Sequence, residues 1–246
     1  MGRICGKSCD LNLTGQISLA DNKMGTGFTI VQDQIGSNKT IEVNAAYAYR
    51  IKLNNDLEAS FGLQTGMVNY RSDYSGLQID RTDPKFNNVS EMKRNFGAGL
   101  LVRSETFMIS LAVPHMLNSS IDANGVTTGL YQRNLYAFGA YLFPVSYRVK
   151  RKPSILLRAS GGLPVAVDYC IAMRMDDSYT IGLLTRNFQT VGFQASINVG
   201  DALRFAYVFE MPLNSATELN FSSHEFMVGI RLKALRFHDL IEIKNF

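Results

Sequence analysis

Strict alternation constrains this chain more than any other feature. In residues 43–53, Val43, Ala45, Tyr47, Tyr49, Ile51 and Leu53 are separated by Asn44, Ala46, Ala48, Arg50 and Lys52. A period of two places the first set on one face of a β-strand and the second on the other. About eleven residues suffice for a tilted strand to cross a bilayer. No stretch approaches the ~18 uninterrupted apolar residues of a spanning helix. A protein that spans lipid without helices must be a closed barrel, because lipid cannot satisfy open backbone groups. The fold class predicted is all-β: a transmembrane antiparallel β-barrel of about 14 strands, apolar outside and polar inside.

Thirteen strands are predicted, near 11–19, 25–33, 40–53, 57–70, 94–104, 106–113, 134–145, 153–161, 164–175, 179–186, 188–199, 202–211 and 223–232. Polar turn residues follow the third, fifth, ninth and eleventh: Asn54-Asn55-Asp56, Ser104-Glu105, Asp176-Asp177-Ser178 and Gly200-Asp201. The long connections, 71–93, 114–133 and 212–222, follow the fourth, sixth and twelfth. Long and short connections therefore fall at opposite ends, as in outer-membrane barrels with short periplasmic turns and longer outer loops. Such barrels have an even strand number and periplasmic termini. The first connection, 20–24, lies on the short side, so one upstream strand is expected to be missing. The segment 1–10 (MGRICGKSCD) also lacks the apolar core of an export signal. The expected division is an N-terminal remnant 1–10, a barrel 11–232 and a tail 233–246.

The inward faces carry Arg50, Lys52, Glu58, Arg103, Arg158, Asp168, Arg174, Arg204, Glu210, Glu225 and Arg231. Two readings stand: a lumen of ion pairs and water that holds the barrel, or a permeation path or seat for a partner segment. The charged fraction, 19%, is below the usual ~25% of soluble domains. The net charge is +4 and the cations are scattered, which argues against nucleic acid as a partner. The one basic run, Arg148 to Lys152, reads as a solvated turn.

Residues that could carry chemistry are few. Cys5 and Cys9 could pair or bind metal, but no histidine stands near them. Cys170 lies on a strand and reads as a packing residue. The string MGTGF lacks the spacing of a phosphate loop, and no Gly-x-Ser-x-Gly elbow occurs. His115, His224 and His238 are far apart, and His224 reads as a surface or turn residue. The segment 80–88 (DRTDPKFNN) departs from calcium-loop spacing and reads as a turn. No catalytic residue, cofactor site or metal site is predicted.

Several strings, in order, resemble the PorP/SprF membrane proteins of the type IX secretion system. Asn22-Lys23-Met24-Gly25-Thr26-Gly27-Phe28 is similar to the family's N-x-M-G-x-G segment, and Gln32-Asp33-Gln34-Ile35-Gly36 follows it. Ala46 to Leu53 and Leu57 to Met67 resemble the next two family strands. Asp83-Pro84-Lys85-Phe86-Asn87 resembles a D-P-x-F loop. Asn95 to Gly99, Val113-Pro114-His115-Met116-Leu117, Lys152 to Pro164 and Ser223 to Gly229 continue the match. The usual N-terminal part is absent, and Lys233 to Phe246 extend past the family's closing strand. The resemblance implies a non-enzymatic barrel in the outer membrane of a Gram-negative bacterium. It implies as partners secreted cargo with a C-terminal targeting domain, periplasmic and lipoprotein components of the machinery, and outer-membrane lipid. In some cells it implies a link to gliding motility.

The leading expectation is thus a secretion component that binds cargo, with loops 71–93 and 114–133 as outward contacts. The runner-up is a diffusion or uptake channel for small solutes. A soluble β-sandwich would instead bury the apolar faces, and its strands would average about five or six residues.

Overall fold

The computed structural model describes residues 9–20, 22–73, 88–123, 126–213 and 222–232. Among them the ordered elements are strands, joined by turns and irregular connections. They are β1 (Cys9–Leu19), β2 (Met24–Ile35), β3 (Asn38–Lys52), β4 (Glu58–Ser72), β5 (Val89–Arg103), β6 (Phe107–Val113), β7 (Ser119–Ala123) and β8 (Val126–Tyr131). There follow β9 (Asn134–Tyr141), β10 (Phe143–Pro144), β11 (Val149–Ser160), β12 (Ala166–Met175), β13 (Tyr179–Arg186), β14 (Thr190–Val199), β15 (Leu203–Pro212) and β16 (Ser223–Ile230). One sheet has the order β1-β2-β3-β4-β5-β6-β9-β11-β12-β13-β14-β15-β16, with β10 also on β11. Among the described residues β1 and β16 are the two ends of that order.

Each of the thirteen strands expected from alternation has its counterpart on this path, with β9 and β10 together answering to 134–145. Two differences have clear causes. The segment 114–133 is not a plain connection, because β7 and β8 pair within it as a separate two-stranded sheet. The run Arg148 to Lys152 is not a turn, because β11 begins at Val149 and pairs Lys150 with Arg174 and Lys152 with Ala172. Cations on both faces of that stretch hide the alternation that marks the other strands.

Connections after odd-numbered positions in the order are 20–23, 53–57, 104–106, 145–148, 176–178 and 200–202, each three to five residues. The three long ones, 73–88, 114–133 and 213–222, all follow even positions. Residues 74–87 and 214–221 lie outside the described residues, as do Cys5, Asp83 to Asn87 and the tail from Lys233. The short turns close by local chemistry. Asn54 Oδ1 accepts from the amides of Asp56 and Leu57 at 3.0 and 2.8 Å. Ser104 Oγ accepts from Thr106 and Phe107 at 3.1 Å each. At Met175–Ser178, Asp176 and Asp177 both have positive φ, 48° and 53°, as a hairpin turn of this twist demands.

The chain divides into two compact units. The first comprises residues 1–50, 61–99 and 112–134, and the second 51–60, 100–111 and 135–246. In the first, pairing of β1, β2 and β3 sets Leu13, Ile30 and Val43 in one row, and Thr14, Thr29 and Asn44 in the adjacent row on the opposite face. In the second, a continuous ladder from β11 to β16 aligns Pro153, Ile171, Leu183, Phe193, Phe209 and His224 across six strands. The adjacent row, on the other face, reads Ser154, Cys170, Leu184, Gly192, Glu210 and Ser223.

The apolar rows are the exposed ones. Leu183 is 69% exposed and Phe226 81%, whereas the buried apolar side chains among the described residues are Val68, Ala140, Leu142 and Ala172. A soluble domain buries its large apolar residues, and an exposed apolar patch of this extent marks contact with lipid or protein.

Candidate functional site on the polar faces

In the first unit the most buried positions lie on the polar face of β3, β4 and β5. Val68 and Ser72 are 2% exposed and Asn95 3%, and Glu42 and Asn44 are also buried. A piece of chain accounts for part of this burial. After β6 the backbone leaves the strand at Pro114 and bends over Gly97 of β5, where a Cβ would lie 2.6 Å from the Pro114 carbonyl oxygen. Met116 N donates to Phe96 O at 2.8 Å. The Asn95 carboxamide holds Leu117 on both sides, accepting from its amide at 3.3 Å and donating to its carbonyl at 3.4 Å.

This bend carries His115 to β3, where Nε2 lies 2.9 Å from Glu42 Oε1. The Asn44 carboxamide donates to the same Oε1 at 2.6 Å. Gly66 of β4 leaves the room for Asn44, since a Cβ there would run into that carboxamide and lie 2.7 Å from the Val43 carbonyl. Residues 114–117 are therefore folded onto the polar face.

In the second unit the charges sort into three groups. Arg103 donates from Nε and Nη2 to Glu58 Oε2 at 3.0 and 2.8 Å. A chain of four joins β11, β12, β13 and β15. Arg158 Nη2 contacts both oxygens of Asp168, at 2.9 and 2.7 Å. Arg186 Nε meets Asp168 Oδ1 at 3.2 Å, and its Nη2 meets Glu210 Oε1 at 3.5 Å. Two cations and two carboxylates leave this group neutral. The third group is basic: Lys150, Lys152 and Arg174, with Asp177 within 3.2 Å of both Lys150 and Arg174, and Arg204 opposite Asn198, which donates to the Asp177 carbonyl at 3.1 Å.

The structure thus joins Glu58 with Arg103 and Arg158 with Asp168, and ties Glu210 and Arg174 to partners that the sequence reading had not singled out, Arg186 and Asp177. Arg50, in the first unit, is half-buried. Arg204, Glu225 and Arg231 are exposed and make no ion pair among the described residues. Alternation alone could have found Arg186 at the end of β13. Glu42 and His115 are 73 positions apart and carry no local signal of their meeting. His224 is exposed at the start of β16, as its sequence reading expects, and its Nδ1 lies 2.8 Å from the Tyr207 hydroxyl. Cys170 packs on the polar face and takes a hydrogen bond from Gln194 Nε2 at 3.3 Å. Among the described residues no group of three or more metal-ligating side chains occurs.

Asp168→Asn weakens both arginine contacts at once while keeping the side-chain volume. The expected cost is about 1–3 kcal/mol, read as a lower urea midpoint for unfolding from lipid vesicles. A midpoint equal to that of the parent protein would show that the chain of four contributes nothing to stability.

The sequence profile of the family described as type IX secretion system membrane protein PorP/SprF matches residues 6–230. No curated protein matches the chain. Solved structures similar to it include several variants of a porin from Rh. blastica. Each is 8% identical, with a TM-score of 0.36 over 91% of this chain and 89% of the porin.

Proposed function

Since the chain belongs to the PorP/SprF family of type IX secretion system membrane proteins, we propose that it acts without catalysis as an outer-membrane barrel that holds or docks secreted cargo. The apolar rows face lipid, and the polar faces, with their ion pairs and the inward segment 114–117, form the interior. The observation that carries this is the inverted burial: outward Leu183 and Phe226 exposed, polar-face Ser72 and Asn95 buried. The short turns face the periplasm and its lipoprotein and ring components. The long connections face outward and meet cargo bearing a C-terminal targeting domain, including adhesins where the cell glides.

The test is affinity purification from detergent-solubilised outer membrane. Co-recovery of secretion-machinery subunits and a secreted protein is the expected result. Recovery of lipid alone, with steady conductance in a planar bilayer, would replace this reading with a diffusion channel.

A further inference from the structure

The basic group of the second unit gathers cations from three strands, β11, β12 and β15. Lys150 and Arg174 are direct cross-strand partners, an arrangement that repels unless a counter-charge intervenes. Asp177 is that counter-charge for both. Lys152 follows Lys150 on the same face of β11, and Arg204 of β15 is the cross-strand partner of Asn198, whose carboxamide donates to the Asp177 carbonyl at 3.1 Å. Among the described residues neither Lys152 nor Arg204 has a carboxylate within ion-pair distance. Lys152 and Arg204 thus add two cations to this face without adding a paired carboxylate among the described residues.

Like charges held together on one partly buried face are costly and generate a field that draws anions. The floor between the cations is short and polar: Thr180 of β13, and Ser196 and Asn198 of β14. From β12 to β15 there are three inter-strand spacings, about 14 Å at the usual spacing of 4.7–4.9 Å. An extended polypeptide advances about 6.6–6.8 Å every two residues, so carboxylates at alternate positions follow such a row of cations. A single small anion meets only part of it.

We infer that the polar face of β11–β15, beside the turn 176–178, is a binding surface for an acidic extended polypeptide segment. Its docking cations are Lys152, Arg174 and Arg204. This rests on the reading of that face as the barrel interior and identifies the chemistry of the partner that enters from the short-turn side.

The full-length protein in detergent is titrated with a labelled twelve-residue peptide of alternating Asp and Ser, and with its Asn counterpart. The Asp peptide is expected to bind and the Asn peptide not. Binding should weaken roughly tenfold in the Lys152→Gln/Arg204→Gln double variant, at about threefold per exposed charge contact. The charge-conserving Arg204→Lys variant should stay within about twofold of the parent. Retained heat-modifiable gel migration establishes that the variants are folded. Equal binding of both peptides, an unaffected double variant, or equal competition by free glutamate would overturn the inference. Failure of the protein to insert into vesicles, with peptide binding intact in detergent, would instead overturn the barrel reading and leave this surface standing.

Discussion

Leu183→Lys is expected to destabilise the membrane-inserted protein by roughly 2–4 kcal/mol, the cost of a basic residue facing lipid near the bilayer midplane. Leu183 sits in the apolar row between Ile171 and Phe193 and is 69% exposed. The same residue introduced as Val208→Lys should cost less than about 1 kcal/mol. Val208 is on the opposite face, paired with Gln194 and Glu225, where an ammonium has water and a carboxylate at hand. Urea titration of folding into phospholipid vesicles reads both values. Equal destabilisation by the two variants would mean that the exposed apolar face is not the lipid face.

Gly97→Val should expel residues 114–117 from the polar face. A Cβ at 97 meets three backbone atoms of Pro114 between 2.6 and 3.0 Å, and backbone cannot rotate aside as a side chain can. Overpacking of this kind costs about 1–3 kcal/mol, and displacement of the segment relieves it. His115 should then leave Glu42 and become open to acylation by diethylpyrocarbonate, followed at that residue by mass spectrometry. In the parent protein its side chain is 14% exposed. Gly229→Val is the control, because a Cβ there makes only ordinary contact, 3.6 Å from Arg204 Cβ. Unchanged modification of His115 in Gly97→Val would show that the segment is held by something other than the space above Gly97.

Most of the strand architecture was legible in the sequence, for a physical reason. In a sheet with one apolar and one polar face, every residue reports its side, and a long strand repeats the report many times. Legibility failed where that contrast failed. Lys150 and Lys152 read as part of a turn rather than a strand because Arg148 and Arg151 supply cations in the same stretch and erase the period. The hairpin β7–β8 went unnoticed although Asn124-Gly125 stands between its strands, a dipeptide strongly favoured at two-residue hairpin connections. The charges of the polar face were visible one by one, but their partners were not. The meeting of Glu42 with His115 is set by where Gly66 and Gly97 let the chain pass, which no local pattern encodes.

Asp177 has two duties that pull against each other. Its backbone, at φ 53°, sits where glycine and asparagine are the comfortable substitutes, and its carboxylate lies 3.2 Å from both Lys150 and Arg174. A replacement that suits the turn therefore strips the neighbouring cations of their counter-charge, and one that keeps the charge, such as glutamate, fits the turn poorly. Drift at this single position cannot relax the hairpin without also turning up the attraction of the whole face for acidic chains. The tuning of recognition is thereby coupled to the closing of a three-residue loop.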